Sequence, residues 1–225
     1  MIDHVIVVAG ASCAGKTTFL NEVWKSGGSV LPAELRAIDF SDYAIVNAMD
    51  LMSSSTTSDR PRRIILHYDI FRPVTFYGVL SFDVDPALDL VRRARTKHVL
   101  TLWDDPNLLL DRSERRRRNL WRKLVRLSSI RNLRANVDSF RGAKVRRDRM
   151  RPWFANRNRL WQLYEAWFRA IGDAGLERHW IAKPSEGISF APMDEICPAP
   201  LWPISYGVAS AGGSENRVCG TARQV

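Results

Sequence analysis

The chain has 225 residues, 45% of them hydrophobic, enough for one full core and one domain with room for a lid or small insertion. No stretch approaches the ~18–20 consecutive apolar residues of a membrane span. The three cysteines, Cys13, Cys197 and Cys219, form no C-x-x-C pair and no metal spacing with the histidines, which argues against a zinc module and fits a reducing cytosol.

Charge is distributed unevenly. The net charge is +10 and the sequence pI about 10.1. Roughly half of all Lys and Arg lie between Arg112 and Arg159, opposed there only by Glu114, Asp138 and Asp148. Such a block faces either water or something anionic.

Taken in chain order, the first element is a strand, His4 to Ala9, built on the β-branched and apolar run Val5, Ile6, Val7, Val8. No basic segment precedes it and its apolar run leads straight into a Gly-rich turn, so no secretory leader is expected. The turn is "GASCAGKTT", Gly10 to Thr18. A helix follows from about Gly15 to Lys25, with Phe19, Leu20 and Val23 at helical spacing. Gly10 and Gly15 permit backbone angles that a Cβ penalises, so the turn can aim several N–H groups inward as an anion nest. The helix adds its free N–H groups and the positive end of its dipole. "SGG" at Ser26–Gly28 breaks the chain. Leu31 to Ala37 reads as a turn or short helix, and Ser41 to Met52 as a helix capped by Ser41 or Asp42. A competing reading makes Ala37 to Phe40 a second strand. Ser53 to Arg62 is polar and reads as a mobile connection.

Ile64, Ile65 and Leu66 predict a buried strand with His67, Tyr68 and Asp69 at its carboxyl end. "DVDPALDLVRRA" predicts a helix with Asp85 as N-cap and Pro86 at its first position. His98 to Pro106 predicts a strand with polar residues at its end, where Asp104 and Asp105 read as turn and cap residues. Asn107 to Asn119 predicts an intensely basic helix, its stripe continued by Leu120, Trp121, Leu124, Val125 and Leu127. Ser139 to Arg151 reads as a basic loop. Leu160, Trp161, Tyr164, Trp167, Phe168 and Ile171 recur at helical spacing and read as core. His179 to Ala182 predicts a last short strand, and Pro198 to Val225 a weakly ordered tail. Strands alternating with helices predict a parallel sheet covered on both faces, with ligands at the carboxyl ends of its strands.

The strand, Gly-rich turn and helix, with the string G-x-x-x-x-G-K-[ST], resemble the Walker A motif of the P-loop NTPases in every defining position. The resemblance implies an α/β, three-layer fold with a parallel central sheet, and ATP with Mg²⁺ as cofactors. Carried onto this chain, the phosphate cradle is Gly10, Ala11, Ser12, Cys13, Ala14, Gly15, Lys16, Thr17 and Thr18. Lys16 would reach the β- and γ-phosphates, and Thr17 would hold Mg²⁺ through its hydroxyl. Cys13 reads as a small filler open to oxidation or alkylation. A site carboxylate is also needed. "IILHYD" resembles a Walker B strand ending in Asp69, although His67 and Tyr68 stand where apolar residues are usual. Asp39 and Asp42 in "IDFSD" are the rival pair. His67 reads as a structural histidine or a hydrogen-bonding group for substrate.

"LLLDRSERRRR" resembles the lid of small P-loop kinases, such as nucleoside monophosphate, shikimate and gluconate kinases, whose arginines close over the phosphates. Here those are Arg112 and Arg116, with Arg115 as substitute, in a lid over about 107–155. A forked guanidinium suits phosphate oxygens, and phosphoryl transfer needs mostly charge stabilisation. Lys183, Pro184 and Ser185 follow the last strand, where related kinases often border the adenine. The expected organisation is a kinase-like domain over 1–195 and a Pro/Gly/Ser-rich tail over 196–225. The expected function is a cytoplasmic kinase moving the γ-phosphoryl of ATP to a small molecule or nucleotide, with an anionic acceptor and no membrane partner. The alternative is a P-loop ATPase with a regulatory or nucleic-acid-associated role. No N-K-x-D guanine motif and no L-S-G-G-Q-like signature is present, which disfavours a GTP switch and an ABC-type ATPase.

Overall fold

The computed structural model describes residues 2–53, 61–126, 133–173, 179–182 and 190–192. The run His4–Gly10 forms β1, and Val5 to Ala9 are almost wholly buried, as a strand covered on both faces requires. It is followed by α1 (Lys16–Lys25), the short α2 (Ala33–Arg36), β2 (Ala44–Asn47), α3 (Ala48–Ser53), β3 (Arg63–Asp69), α4 (Pro86–Arg92) and β4 (Thr96–Leu102). Three long helices come next, α5 (Pro106–Arg126), α6 (Leu133–Ala155) and α7 (Arg157–Asp173), and then β5 (His179–Ala182) and β6 (Phe190–Pro192). The strands form one sheet in the order β2-β3-β1-β4-β5-β6. All neighbours are parallel except β5 and β6, which are antiparallel. The register sets Gly10 of β1 between Asp69 of β3 and Leu102 of β4.

Successive side chains of β3 point to opposite faces. Tyr68 stacks on Trp167 of α7, ring centroids 5.3 Å apart, while His67 and Asp69 line a cleft together with Phe19 and Glu22 of α1. So α7 and α1 lie on opposite faces of the sheet, an α/β arrangement compatible with three layers. Asp85 ties the segment after β3 to the core. Fully buried, it accepts from Tyr68 Oη at 2.9 Å, Arg72 Nε at 2.6 Å and the backbone N–H of Ala87 at 3.0 Å, the last as N-cap of α4. Each buried charge and donor there is matched, as burial demands. No helix among the described residues is long and apolar enough to cross a membrane.

Two elements depart from the sequence expectations. Ser41 to Met52 is not one helix: a 3-10 turn (Phe40–Asp42) leads into β2 and then α3. Ile45 and Val46 pair with Ile65 and Leu66 of β3, so sheet pairing overrides helical spacing. The Asn47 side chain then accepts from the N–H groups of Met49 and Asp50, at 2.9 Å each, and starts α3. The competing strand at Ala37 to Phe40 is likewise absent, that stretch holding the end of α2, a bend and the start of the turn. Ser139 to Arg151 is not a loop but lies within α6. Its Arg, Lys, Ala and Met residues are good helix formers, and Met150 and Phe154 bury one face. The basic helix α5 starts at Pro106, with Asp105 accepting from the N–H of Asn107 at 2.8 Å, and extends past Asn119 to Arg126. Residues 54–60 of the polar connection, Lys183 to Ser185, and the tail 196–225 lie outside the described residues.

Candidate functional site

At the end of β1 a Cβ on Gly10 would run into the carbonyl oxygen of Leu102, so only glycine lets β1 and β4 approach this closely. Past it the chain turns back, with φ 69° at Cys13 and 88° at Gly15, both in the left-handed region. Ala14 N–H donates to Ala11 O at 3.1 Å and closes the turn. Gly15 is the N-cap of α1 and no side chain caps that helix. Its first-turn N–H groups are thus available to an anion, next to the positive end of the dipole. Lys16, 5% exposed, donates from Nζ to Gly10 O at 2.7 Å and Ala11 O at 2.8 Å. Burial pushes the Lys16 ammonium below the ordinary lysine range, and nearby Asp69 works against that shift.

A cleft of about 590 Å³ opens over this loop at the carboxyl ends of the strands. Ser12, Cys13, Gly15, Lys16, Thr17 and Thr18 form its floor; His67 and Asp69 of β3, and Arg112 and Arg116 of α5, line its sides. Gly10, Ala11 and Ala14 sit behind that surface, Ala11 and Ala14 fully buried. Asp69 accepts from the N–H of Phe71 at 3.1 Å. Burial, and then the charge on Lys16, hold the His67 imidazole below its ordinary pKa.

The arginines of α5 separate by partner. Arg112 Nη1 lies 2.8 Å from Oδ2 of Asp104, a carboxylate with no exposure, and also donates to Cys13 O at 3.4 Å. One guanidinium therefore joins the end of β4 to the Gly-rich turn. Arg116, exposed, faces the cleft. Arg115 turns away and pairs with Asp111 at 2.7 Å. The rival acids are elsewhere: Asp39 accepts from the N–H and hydroxyl of Ser41 as a turn cap, Asp42 pairs with Arg63 at 2.9 Å, and neither lines the cleft. Beyond the cleft, Arg118 and Arg122 of α5 and Arg141, Lys144, Arg149 and Arg151 of α6 are exposed. Arg147 of α6 reaches Glu114 of α5 at 3.4 Å.

No group of three or more His, Cys, Asp and Glu among the described residues could enclose a metal. The cleft is lined by the hydroxyl residues Ser12, Thr17 and Thr18 and by the carboxylates Glu22 and Asp69. Of these, Thr17, next to Lys16 at the start of α1, and Asp69, at the end of β3, suit Mg²⁺, which keeps several waters and shares its remaining positions with phosphates. No protein-family model matches this chain, and neither does any curated protein or solved structure.

Two residues at the site escaped the sequence reading. Asp104 accepts from the N–H of Asp105 at 2.9 Å, as a turn residue does, and is in addition the buried partner of Arg112; in sequence nothing separates it from Asp105, the cap. Tyr164 is core as expected, buried in α7, and its hydroxyl in addition accepts from Ala11 N–H at 3.1 Å and donates to Leu102 O at 3.0 Å. The signal available for it was a lone hydroxyl in a buried apolar stripe, which needs a partner.

Proposed function

We propose that this protein is an ATP-dependent phosphotransferase of the P-loop type, acting on a small-molecule or nucleotide acceptor. The observation that carries this is the convergence of Lys16, Thr17, Asp69, Arg112 and Arg116 on one cleft above a Gly-rich turn and an uncapped helix N-terminus. Bound Mg²⁺–ATP would supply the transferable γ-phosphoryl group. The turn's N–H groups and α1 would bind the phosphates; Lys16, now bonded to two carbonyls, would turn to phosphate oxygens; Thr17 and Asp69 would hold the metal. Arg112, already fixed by Asp104, and Arg116 would neutralise charge on the transferring group, as a short arginine-rich lid.

The exposed basic face of α5 and α6 favours a second reading, an ATPase associated with nucleic acid. Between Arg112 and Arg151 the only aromatic residues are Trp121 and Phe140, sparse for base stacking. ADP release measured over nucleotides, sugars and small acids, and separately with single-stranded and duplex nucleic acid at moderate salt, decides between the two. Acceptor-dependent ADP release supports the phosphotransferase. A large stimulation by nucleic acid, falling steeply with salt, supports the alternative.

A further inference from the structure

Tyr164 occupies the point where β1 and β4 part. Ala11 is the first residue beyond β1, and Leu102, the register partner of Gly10, is the last of β4. The ladder between them cannot continue, because the chain turns away into the loop. The Tyr164 hydroxyl, delivered from α7 and 1% exposed, takes the place of the missing ladder group: it accepts from Ala11 N–H at 3.1 Å and donates to Leu102 O at 3.0 Å. The Ala11 carbonyl is at the same time an acceptor of Lys16 Nζ at 2.8 Å. One residue of the loop is thus held on its N–H side by α7 and on its carbonyl side by the lysine.

We propose that Tyr164 is a positioning residue for the phosphate loop, fixing Ala11 and through it the backbone of the turn. This rests on the phosphotransferase reading above. Burial raises the phenol well above its ordinary range, so it remains a donor and an acceptor throughout the working pH range. Its ring packs beside Phe168 as any core aromatic does, and phenylalanine would keep that packing. What phenylalanine removes is the hydroxyl alone, leaving a buried N–H and a buried carbonyl without this partner.

The helix supplies its own control. Trp167, one turn further along α7, donates from Nε1 to Thr101 Oγ1 at 2.9 Å, also joining α7 to β4 inside the core, but touching no atom of the loop by that bond. Tyr164→Phe and Trp167→Phe, each in the full chain, therefore separate loop positioning from core support. The measurements are thermal unfolding, calorimetric titration with Mg²⁺–ATP at a temperature where both variants are folded, and hydrogen exchange of the Ala11 amide without nucleotide. Both variants are expected to melt below the wild type. Tyr164→Phe is expected to weaken Mg²⁺–ATP on the order of tenfold, the equivalent of one lost hydrogen bond, and to speed Ala11 exchange. Trp167→Phe is expected to change neither beyond about twofold. Wild-type protein that binds Mg²⁺–ATP, with Tyr164→Phe binding it equally well or Trp167→Phe losing as much, overturns the tyrosine's role alone. Wild-type protein that binds no nucleotide overturns both this proposal and the phosphotransferase reading.

Discussion

The Gly10–Thr18 loop and the helix α5 line one cleft, the loop as its floor and α5 at its side. In the loop much of the shape is set locally, by a strand that ends, left-handed angles at Cys13 and Gly15, and a lysine that bonds to carbonyls five and six residues before it. In α5 the residue types are nearly uniform and their surroundings are not. Arg112 is pinned to a buried carboxylate, Arg116 faces the cleft, and Arg115 is engaged with its own helix. The shape of a Gly-rich turn can thus be set largely by spacing, whereas an arginine's role depends on what the helix rests against.

The largest expected effect tests the loop side. Lys16→Ala should lower phosphoryl transfer by on the order of 10²-fold or more, with a folded circular-dichroism spectrum. Unchanged turnover would sink the transferase and the ATPase readings together. Next comes the carboxylate. Asp69→Asn should raise the Mg²⁺ requirement or remove activity, while Asp39→Asn, which alters only a turn cap, should leave both unchanged. The opposite pattern in a Mg²⁺ titration would move the metal site off β3.

The arginine side is sharpened by three substitutions on one helix. Arg112→Ala should lower turnover and also cost about 1–3 kcal/mol in denaturant unfolding, because it strands the buried Asp104. Arg116→Ala should lower turnover, and ATP affinity less, with stability unchanged. Arg115→Ala, which loses an exposed pair one turn apart, should stay within about 0.5 kcal/mol and keep full activity. Equal effects from all three would mean that the basic block acts as one surface, and the contrast with the loop would dissolve.

The smallest effect lies at the other end of β1. His4 meets the Tyr43 hydroxyl and stands 5.0 Å from the His98 ring, and burial, then Arg63, hold its pKa below the ordinary 6.5. The unfolded chain therefore binds this proton more readily than the folded one. The associated stability is present above pH 6.5 and is lost as pH falls through 6.5 toward the folded value. His4→Gln should reduce the fall in melting temperature between about pH 7 and pH 5 without altering turnover. A wild type whose acid loss is unchanged by that substitution would remove His4 from the account.

Much of the fold was legible. The β-branched run of β1, the Pro86 start and Asp85 cap of α4, the apolar stripe of α7 and the bounds of β5 each follow from short-range chemistry. The elements misread were those settled by neighbours. Ile45 and Val46 became a strand because β3 offered an unpaired edge, and Ser139 to Arg151 became helix because Met150 and Phe154 found a core.

The sequence by itself determined the order of strand, Gly-rich turn and helix at the carboxyl end of β1, since glycine spacing and β-branching act over a few residues. Only the tertiary structure decided which acids and arginines reach that turn. Asp69 lies beside Gly10 through parallel register, Asp104 claims Arg112 through burial, and Tyr164 meets Ala11 across 153 residues of chain. A charge or hydroxyl carries no mark in the sequence of the partner that folding will bring to it. That choice belongs to sheet order and to the cost of leaving a buried polar group unmatched.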